Sequence, residues 1–230
     1  VCMEFLGSSM TLLDGATLRR LAYDTPLKEW TDAYVGLATY VDPVQGRNYV
    51  MTVDVSRGRH LDKSAFLVID ISEQPYRIVC RYYNAEIAPM LYASLVHKIA
   101  RIYNNAYVLI EINDIGAQVA DTMYYEFEYE NMFWSRGDML GKSGEPYPGI
   151  RTTKRVKRIG CSNLKDIIDN EQFHVNDYIL ILELSTFIQS NKDIYEADEG
   201  KNDDLVACSW LFAWMVAQPW FKDLTDTNIR

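Results

Sequence analysis

The sequence contains no Gly-x-x-x-x-Gly-Lys-Ser/Thr loop, no Cys-x-x-Cys pair and only three histidines. The first absence removes ATP hydrolysis on a Walker-type phosphate loop from this chain. The second removes a zinc knuckle. Cys2, Cys80, Cys161 and Cys208 stand far apart without histidine partners, and read as reduced core thiols of a cytoplasmic protein. No apolar run reaches the ~18 residues that cross a bilayer. The longest candidate, residues 205–221, is broken by Ser209 and by Gln218-Pro219, so no membrane is expected. No basic segment, apolar core and small-residue cleavage site open the chain. It starts at Val1 rather than Met, and its first residues read as the middle of something, a piece of a longer protein.

What is present is a globular composition with charge unevenly distributed. Apolar residues make up 48% and charged residues 24% of 230, enough for one large domain with a sizeable core. Net charge is −9. Taken alone, that argues against a tight nonspecific grip on nucleic acid, which depends on Lys and Arg. Locally the picture changes. Residues 151–158 carry five bases (Arg151, Lys154, Arg155, Lys157 and Arg158) and no acid. Residues 193–204 carry Asp193, Glu196, Asp198, Glu199, Asp203 and Asp204 against Lys201. Together the two stretches would serve as a backbone-gripping surface and a metal site; singly, each also reads as solvated surface.

Residues 1–46 differ from the rest of the chain: Gly7-Ser-Ser9 reads as a turn, 17–22 as a short helix, 28–34 as a short amphipathic piece, and Asp42-Pro43 with Gly46 as a linker. From residue 49 the order is legible. Residues 49–55, 65–71 and 76–83 read as strands joined by short turns, hence an antiparallel meander. Residues 89–103 form a helix with Pro89 in its first turn. The fully apolar 106–110 reads as a central parallel strand, and 115–126 as a helix capped by Asn113 or Asp114. Residues 131–158 read as irregular and 162–170 as a helix with Ser162 as its cap. Then come a short strand at 173–175, a helix at 178–189 and an apolar helix at 205–216 whose aromatic positions Trp210, Phe212, Trp214 and Trp220 read as core packing. The order β-β-β-α-β-α, then a small strand and an acid-capped helix, is that of the α/β ribonuclease H-like fold, a mixed sheet flanked by helices.

Three acidic points fall at element ends. Asp54 closes the first strand, Glu111 closes the fourth, and Asp203-Asp204 opens the last helix. Carboxylates brought to one edge of a sheet build a hard, all-oxygen site that suits Mg²⁺ or Mn²⁺. Two such ions ~3.5–4 Å apart serve phosphodiester hydrolysis. Asp54 is expected to bridge both ions, Glu111 to hold one and the acidic pair the other. Asp204 is preferred as ligand, with Asp203 capping the helix or orienting a metal-bound water; adjacent helix residues point ~100° apart. Each acid taken singly also has a structural reading, as a turn or a helix cap. Asp62, Asp114, Asp198 and Glu199 stand in reserve. His60 lies in the turn after the first strand, where it could touch phosphate, whereas His97 reads as a surface or half-buried helix residue and His174 shows no partner in the sequence.

Val53-Asp54-Val55-Ser56-Arg57-Gly58, Leu109-Ile110-Glu111-Ile112-Asn113, Gly149-Ile150-Arg151-Thr152-Thr153-Lys154 and Asn202-Asp203-Asp204-Leu205-Val206 together resemble the nuclease domain of the large terminase subunit of tailed bacteriophages, in particular the T-even-like group. The resemblance runs from about residue 49 to 216. It implies a domain boundary near 46/47, with 1–46 leaving a preceding ATPase domain and 47–230 forming the nuclease. It implies a Mg²⁺- or Mn²⁺-dependent endonuclease with two ions, cutting concatemeric double-stranded viral DNA with little sequence preference to begin and end packaging. Its partners would be the DNA, the portal protein of the prohead, the small terminase subunit and the ATPase domain of the same polypeptide. Its place would be the host cytoplasm at the portal, not the mature virion. Metal-binding acids would be Asp54, Glu111 and Asp204, with Asp203 as the close alternative. A basic, Gly-flanked loop, Arg151, Lys154, Arg155, Lys157 and Arg158, would contact the DNA backbone, with Arg57 and Lys63 adding to it. The rival readings are a non-catalytic docking module for DNA or portal, and a Holliday-junction resolvase-like nuclease.

Overall fold

A computed structural model describes residues 11–32, 34–56, 62–136, 145–191 and 194–225. Its centre is a mixed sheet. The three meander strands are β3 (Tyr49–Asp54), β4 (Ser64–Asp70) and β5 (Tyr76–Asn84), preceded by β1 (Lys28–Glu29) and β2 (Leu37–Thr39) and followed by β6 (Tyr107–Ile110). Strand order is β1-β2-β5-β4-β3-β6. The β3–β4 and β4–β5 pairs are antiparallel and β6 lies parallel to β3. β-Branched and aromatic residues alternate along these strands, and the pleat sends them into two cores.

One core lies beneath α2 (Pro89–Ile102) and α3 (Gly116–Asp121), where Met51, Val53, Val108 and Ile110 meet Tyr92, Val96 and Val119. The other lies beneath α4 (Lys154–Asp169), α5 (Tyr178–Thr186) and α6 (Asp204–Val216), where Val50, Leu67, Ile69 and Leu109 meet Cys161, Leu164, Leu211 and Trp210. Burial of each such side chain is worth roughly 1.5–3 kcal/mol. The short α1 (Gly15–Arg20) is capped by Asp14 and sends Leu18 into this second core. Small pieces complete the chain: β7 (Trp134–Ser135) with β8 (Tyr147–Pro148), β9 (Phe173–His174) beside β5, the hairpin β10 (Phe187–Asn191) and β11 (Ile194–Ala197), and α7 (Phe221–Thr225).

Five local expectations need correction. Residues 106–110 are not central: β6 is the last regular strand. It is nonetheless buried, because irregular chain covers its free edge through Val108 N–H to Asn131 O (3.0 Å), Phe133 N–H to Val108 O (2.9 Å) and Ile150 N–H to Ile110 O (2.8 Å). The helix after Glu111 has Ile115, not Asn113 or Asp114, at its N-cap position, and after Asp121 it widens into a π-helical turn, Thr122–Glu126. α4 begins eight residues before Ser162, capped by Thr153, whose Oγ1 accepts from Val156 N–H at 3.2 Å. Its buried stripe, Gly160, Cys161, Leu164, Ile167 and Ile168, lies mostly beyond the charged start that disguised it. α5 ends at Thr186 rather than 189, and its β-branched continuation turns into β10. Residues 28–34 contribute β1, paired through β2 to the main sheet.

Candidate active site

The parallel ladder decides where two of the acids go. Val53 is in register with Ile110, and the next amide, Glu111 N–H, donates to Val53 O at 2.9 Å. Asp54 and Glu111 therefore follow side by side at the ends of adjacent strands. Val53 and Ile110 face the α2–α3 core. By the period of two, Asp54 and Glu111 face the α4–α6 side. Tyr92 braces the strand end, donating to Ala65 O (2.6 Å) and Asp54 O (3.2 Å).

α6 arrives on that side with its N-terminus. Asp204 is its first residue and is 7% exposed. Its Oδ1 accepts from Lys63 N–H at 3.1 Å, just before β4, and its Oδ2 accepts from Asn202 Nδ2 at 3.3 Å. One turn on, the Cys208 thiol donates to Ala65 O at 3.3 Å, and Ala65 is paired with Asp54. The helix start is thus pinned over the end of β3. Glu111 is tied in as well: Asn113 Nδ2 donates to Glu111 Oε1 and to Thr152 O, both at 3.2 Å. Two glycines permit this closeness. A Cβ on Gly116 would sit 1.9 Å from Glu111 O, and one on Gly149 (φ +95°) would sit 2.7 Å from Ile110 O.

Burial pushes the Asp54 carboxyl well above the usual carboxylate range, and Glu111, by its charge and a hydrogen bond, adds to the rise, followed by the charges of Asp204 and Asp203. Burial likewise raises Asp204 to about 6 against the pull of the Lys63 amide, with Asp203 adding to the rise. Negative charge is being held together against its own repulsion. Among the described residues no three Asp, Glu, His or Cys side chains are already drawn around one point. The donors are nevertheless all carboxylate oxygens sharing one face, which fits a hard divalent cation better than a soft one.

Asp203 does not cap α6 through its side chain; its Oδ2 lies 3.5 Å from Lys157 Nζ. The cap comes from a residue that the sequence pattern does not single out. Glu183 of α5 places Oε2 on the amides of Leu205 (2.8 Å) and Val206 (3.1 Å). It is 5% exposed, and burial raises its carboxyl to about 7 against the pull of a Tyr83 hydroxyl bond. The available signal is a lone acid inside the apolar run Tyr178-Ile-Leu-Ile-Leu-Glu-Leu184.

The basic stretch is not a loop. Arg151 lies in extended chain, and Lys154, Arg155, Lys157 and Arg158 occupy the first turns of α4. All but the half-buried Lys157 are exposed. The segment borders the acids at both ends, through Thr152 beside Asn113 and through Lys157 beside Asp203. Lys63 Nζ lies over the Tyr83 ring, 4.1 Å from its centre. Arg57 and His60 lie outside the described residues. Of the reserve acids, Asp62 is near enough for its charge to raise Asp204, and Asp198 is exposed and accepts from Glu199 N–H at 2.9 Å. Asp114 takes a left-handed φ of 57° in the turn before α3. His97 is half-buried and stacks on Phe127; His174 is exposed, with Nε2 3.8 Å from Asp24.

The terminase RNase H-like domain family model matches residues 51–213, which includes all three acidic points. The chain belongs to the terminase RNase H-like domain family. Solved terminase nucleases share its architecture. The large terminase nuclease of thermophilic phage G20c with bound cobalt is 18% identical, with a TM-score of 0.67 over 90% of this chain and 97% of that one. The magnesium-bound form of the same nuclease gives 19% and 0.65 over 90% and 97%. The human cytomegalovirus terminase nuclease domain gives 10% and 0.54 over 92% and 98%. At these identities the likeness shows the fold. In this terminase domain the ribonuclease H-like mixed sheet brings Asp54 and Glu111 to one end, where the start of α6 brings Asp204, and the aromatic residues Trp210, Phe212 and Trp214 are buried core.

Proposed function

We propose that this terminase domain is a Mg²⁺- or Mn²⁺-dependent endonuclease. It cuts concatemeric double-stranded viral DNA with little sequence preference, at the start and end of genome packaging. The observation that carries the reading is the placement of Asp54 and Glu111 on neighbouring strand ends beneath the α6 start that bears Asp204. Asp54, Glu111 and Asp204, with Asp203 beside it, would hold the ions, two in the reading favoured here. When bound, the ions supply Lewis-acid activation of water and neutralise charge on the leaving oxygen. The chain's own residues do the positioning. Asn113 orients Glu111, and Lys63 and Asn202 orient Asp204.

Arg151, Lys154, Arg155 and Arg158 grip the phosphate backbone beside the acids, with Lys157, Lys63 and Arg57 adding to it. Phosphate contacts fix register without reading bases, so weak sequence preference is the consequence. The segment before residue 47 leads from a preceding ATPase domain of the same polypeptide and packs through α1, β1 and β2 onto the nuclease that 47–230 form. Portal protein and small terminase subunit are the remaining partners, and the setting is the host cytoplasm at the prohead portal, with the domain absent from the mature virion. Among the described residues no helix is long and apolar enough to cross a membrane.

Supercoiled-plasmid cleavage with Mg²⁺, Mn²⁺ or EDTA tests this. Metal-dependent linear and smeared products are expected, and Asp54→Asn should abolish them with the fold intact. A folded wild-type domain that never cuts, even with its ATPase domain supplied, would leave a docking module. Preference for a four-way junction over linear duplex would favour a resolvase.

A further inference from the structure

A helix start leaves its first amides without intrahelical partners, and the N-cap side chain ordinarily takes those of the second and third residues. In α6 the N-cap residue is Asp203, an apt capping type, yet its carboxylate makes no such bond and lies toward Lys157. Glu183 reaches across from α5 and takes the Leu205 and Val206 amides on Oε2. Its other oxygen accepts from the Tyr83 hydroxyl at 2.7 Å. The Tyr83 ring carries Lys63 Nζ, and the Lys63 amide holds Asp204 Oδ1. A closed path thus leaves Asp204 through Lys63, Tyr83 and Glu183 and returns at Leu205, one residue from its origin.

A buried carboxylate is a costly way to cap a helix whose N-cap residue could do so itself. It also adds negative charge beside Asp204. The arrangement makes sense if the Asp203 carboxylate is needed elsewhere. We propose that Glu183 is a positioning residue of the nuclease site: by capping α6 from α5 it keeps the Asp203 carboxylate off its own helix, beside Lys157 and turned to the cation and DNA. Both Glu183 oxygens are engaged by the fold, so it orients the metal-binding acids without joining them. This rests on the nuclease reading above. Without Glu183 the orphaned amides would fall to the N-cap residue, Asp203, whose carboxylate would fold back onto its own helix.

The test is Glu183→Leu, of similar size and with no acceptor, beside Glu183→Gln, which keeps one oxygen for the amides. In Glu183→Leu the cleavage kcat should fall about tenfold or more, with the DNA KM unchanged. Glu183→Gln should recover most of the loss. In an Asp203→Asn background the Glu183→Leu loss should largely disappear, because both changes remove the same available carboxylate. Losses that multiply in the double variant, or wild-type kcat in Glu183→Leu, would overturn the proposal. If Glu183→Leu does not fold, Tyr83→Phe releases one Glu183 oxygen and keeps the ring under Lys63. It should show a smaller kcat loss that again vanishes with Asp203→Asn, and a loss that persists there would be decisive against the idea. A readout independent of cutting separates this proposal from the nuclease reading. The Asp203 carboxyl carbon resonance should shift in Glu183→Leu as that side chain takes over the cap, and an unmoved resonance would rule the mechanism out even in an active enzyme.

Discussion

Asp54, Asp204 and Glu183 all have proton affinities raised by burial, and neighbouring acids add to each. A raised carboxyl pKa in the fold means that the folded state binds more protons than the unfolded chain between the two values. The stability these groups contribute is therefore complete below the unfolded pKa and is lost as pH rises through the folded one. For Asp204 that window ends at about 6, and for Glu183 at about 7. Melting of the metal-free domain should accordingly fall between about pH 4 and pH 7.5. Mn²⁺ should restore it, and more so at the upper end, because the cation replaces the protons. Asp54→Asn should raise the metal-free melting temperature at pH 7.5 by removing one repelling charge. Thermal melts across that range check all three statements, and a flat metal-free profile would mean that neither burial nor the neighbouring acids raise these carboxyls.

At the scale of elements, the contact between α4 and α6 sets the geometry of the site. Gly160 makes it possible, since a Cβ there would lie 2.5 Å from Trp210 O and 2.9 Å from its ring. Gly160→Ala gains about 1 kcal/mol of helix propensity. It meets backbone that cannot step aside, and overpacking costs about 1–3 kcal/mol. The clash should win, with a net loss of about 1 kcal/mol and a melting drop of about 2–4 °C. An unchanged melting temperature would show that the two helices have slack. These elements are unequally legible in the sequence. β3, β4, β5 and α2 announce themselves by alternation, by turn residues and by Pro89, and Asp54 and Glu111 stand at the ends of their strands. The start of α4 is hidden because five cations in eight residues leave no apolar stripe until Gly160. The covered edge of β6 depends on irregular chain at 131–133 and 149–150, which has no period to read. Glu183 is hidden because its partners, Tyr83 and the α6 amides, are 100 and 22–23 residues away along the chain.

For the whole molecule, the problem is to hold a polyanion on a chain of net charge −9. In the proposed function the solution is local: the exposed bases of residues 151–158 lie beside the acids and would take the phosphate backbone. Binding to linear duplex should fall with rising salt as counterions return to the DNA. Replacing Lys154, Arg155 and Arg158 with Ala should make the plot of log affinity against log salt shallower by about one per phosphate contact removed. An unchanged slope would move the DNA path to another face. The proposed function rests on Asp54, Glu111 and Asp204 sharing one cation site, a reading that the β3–β6 register and the placement of the α6 start support. Calorimetric titration of Mn²⁺ into the wild-type domain, Asp54→Asn, Glu111→Gln and Asp204→Asn, at one pH near 7.5, tests it most directly. Binding by the wild type and its loss or severe weakening in each of the three folded variants is the expected result. Wild-type Mn²⁺ affinity in any one of them would contradict the shared site.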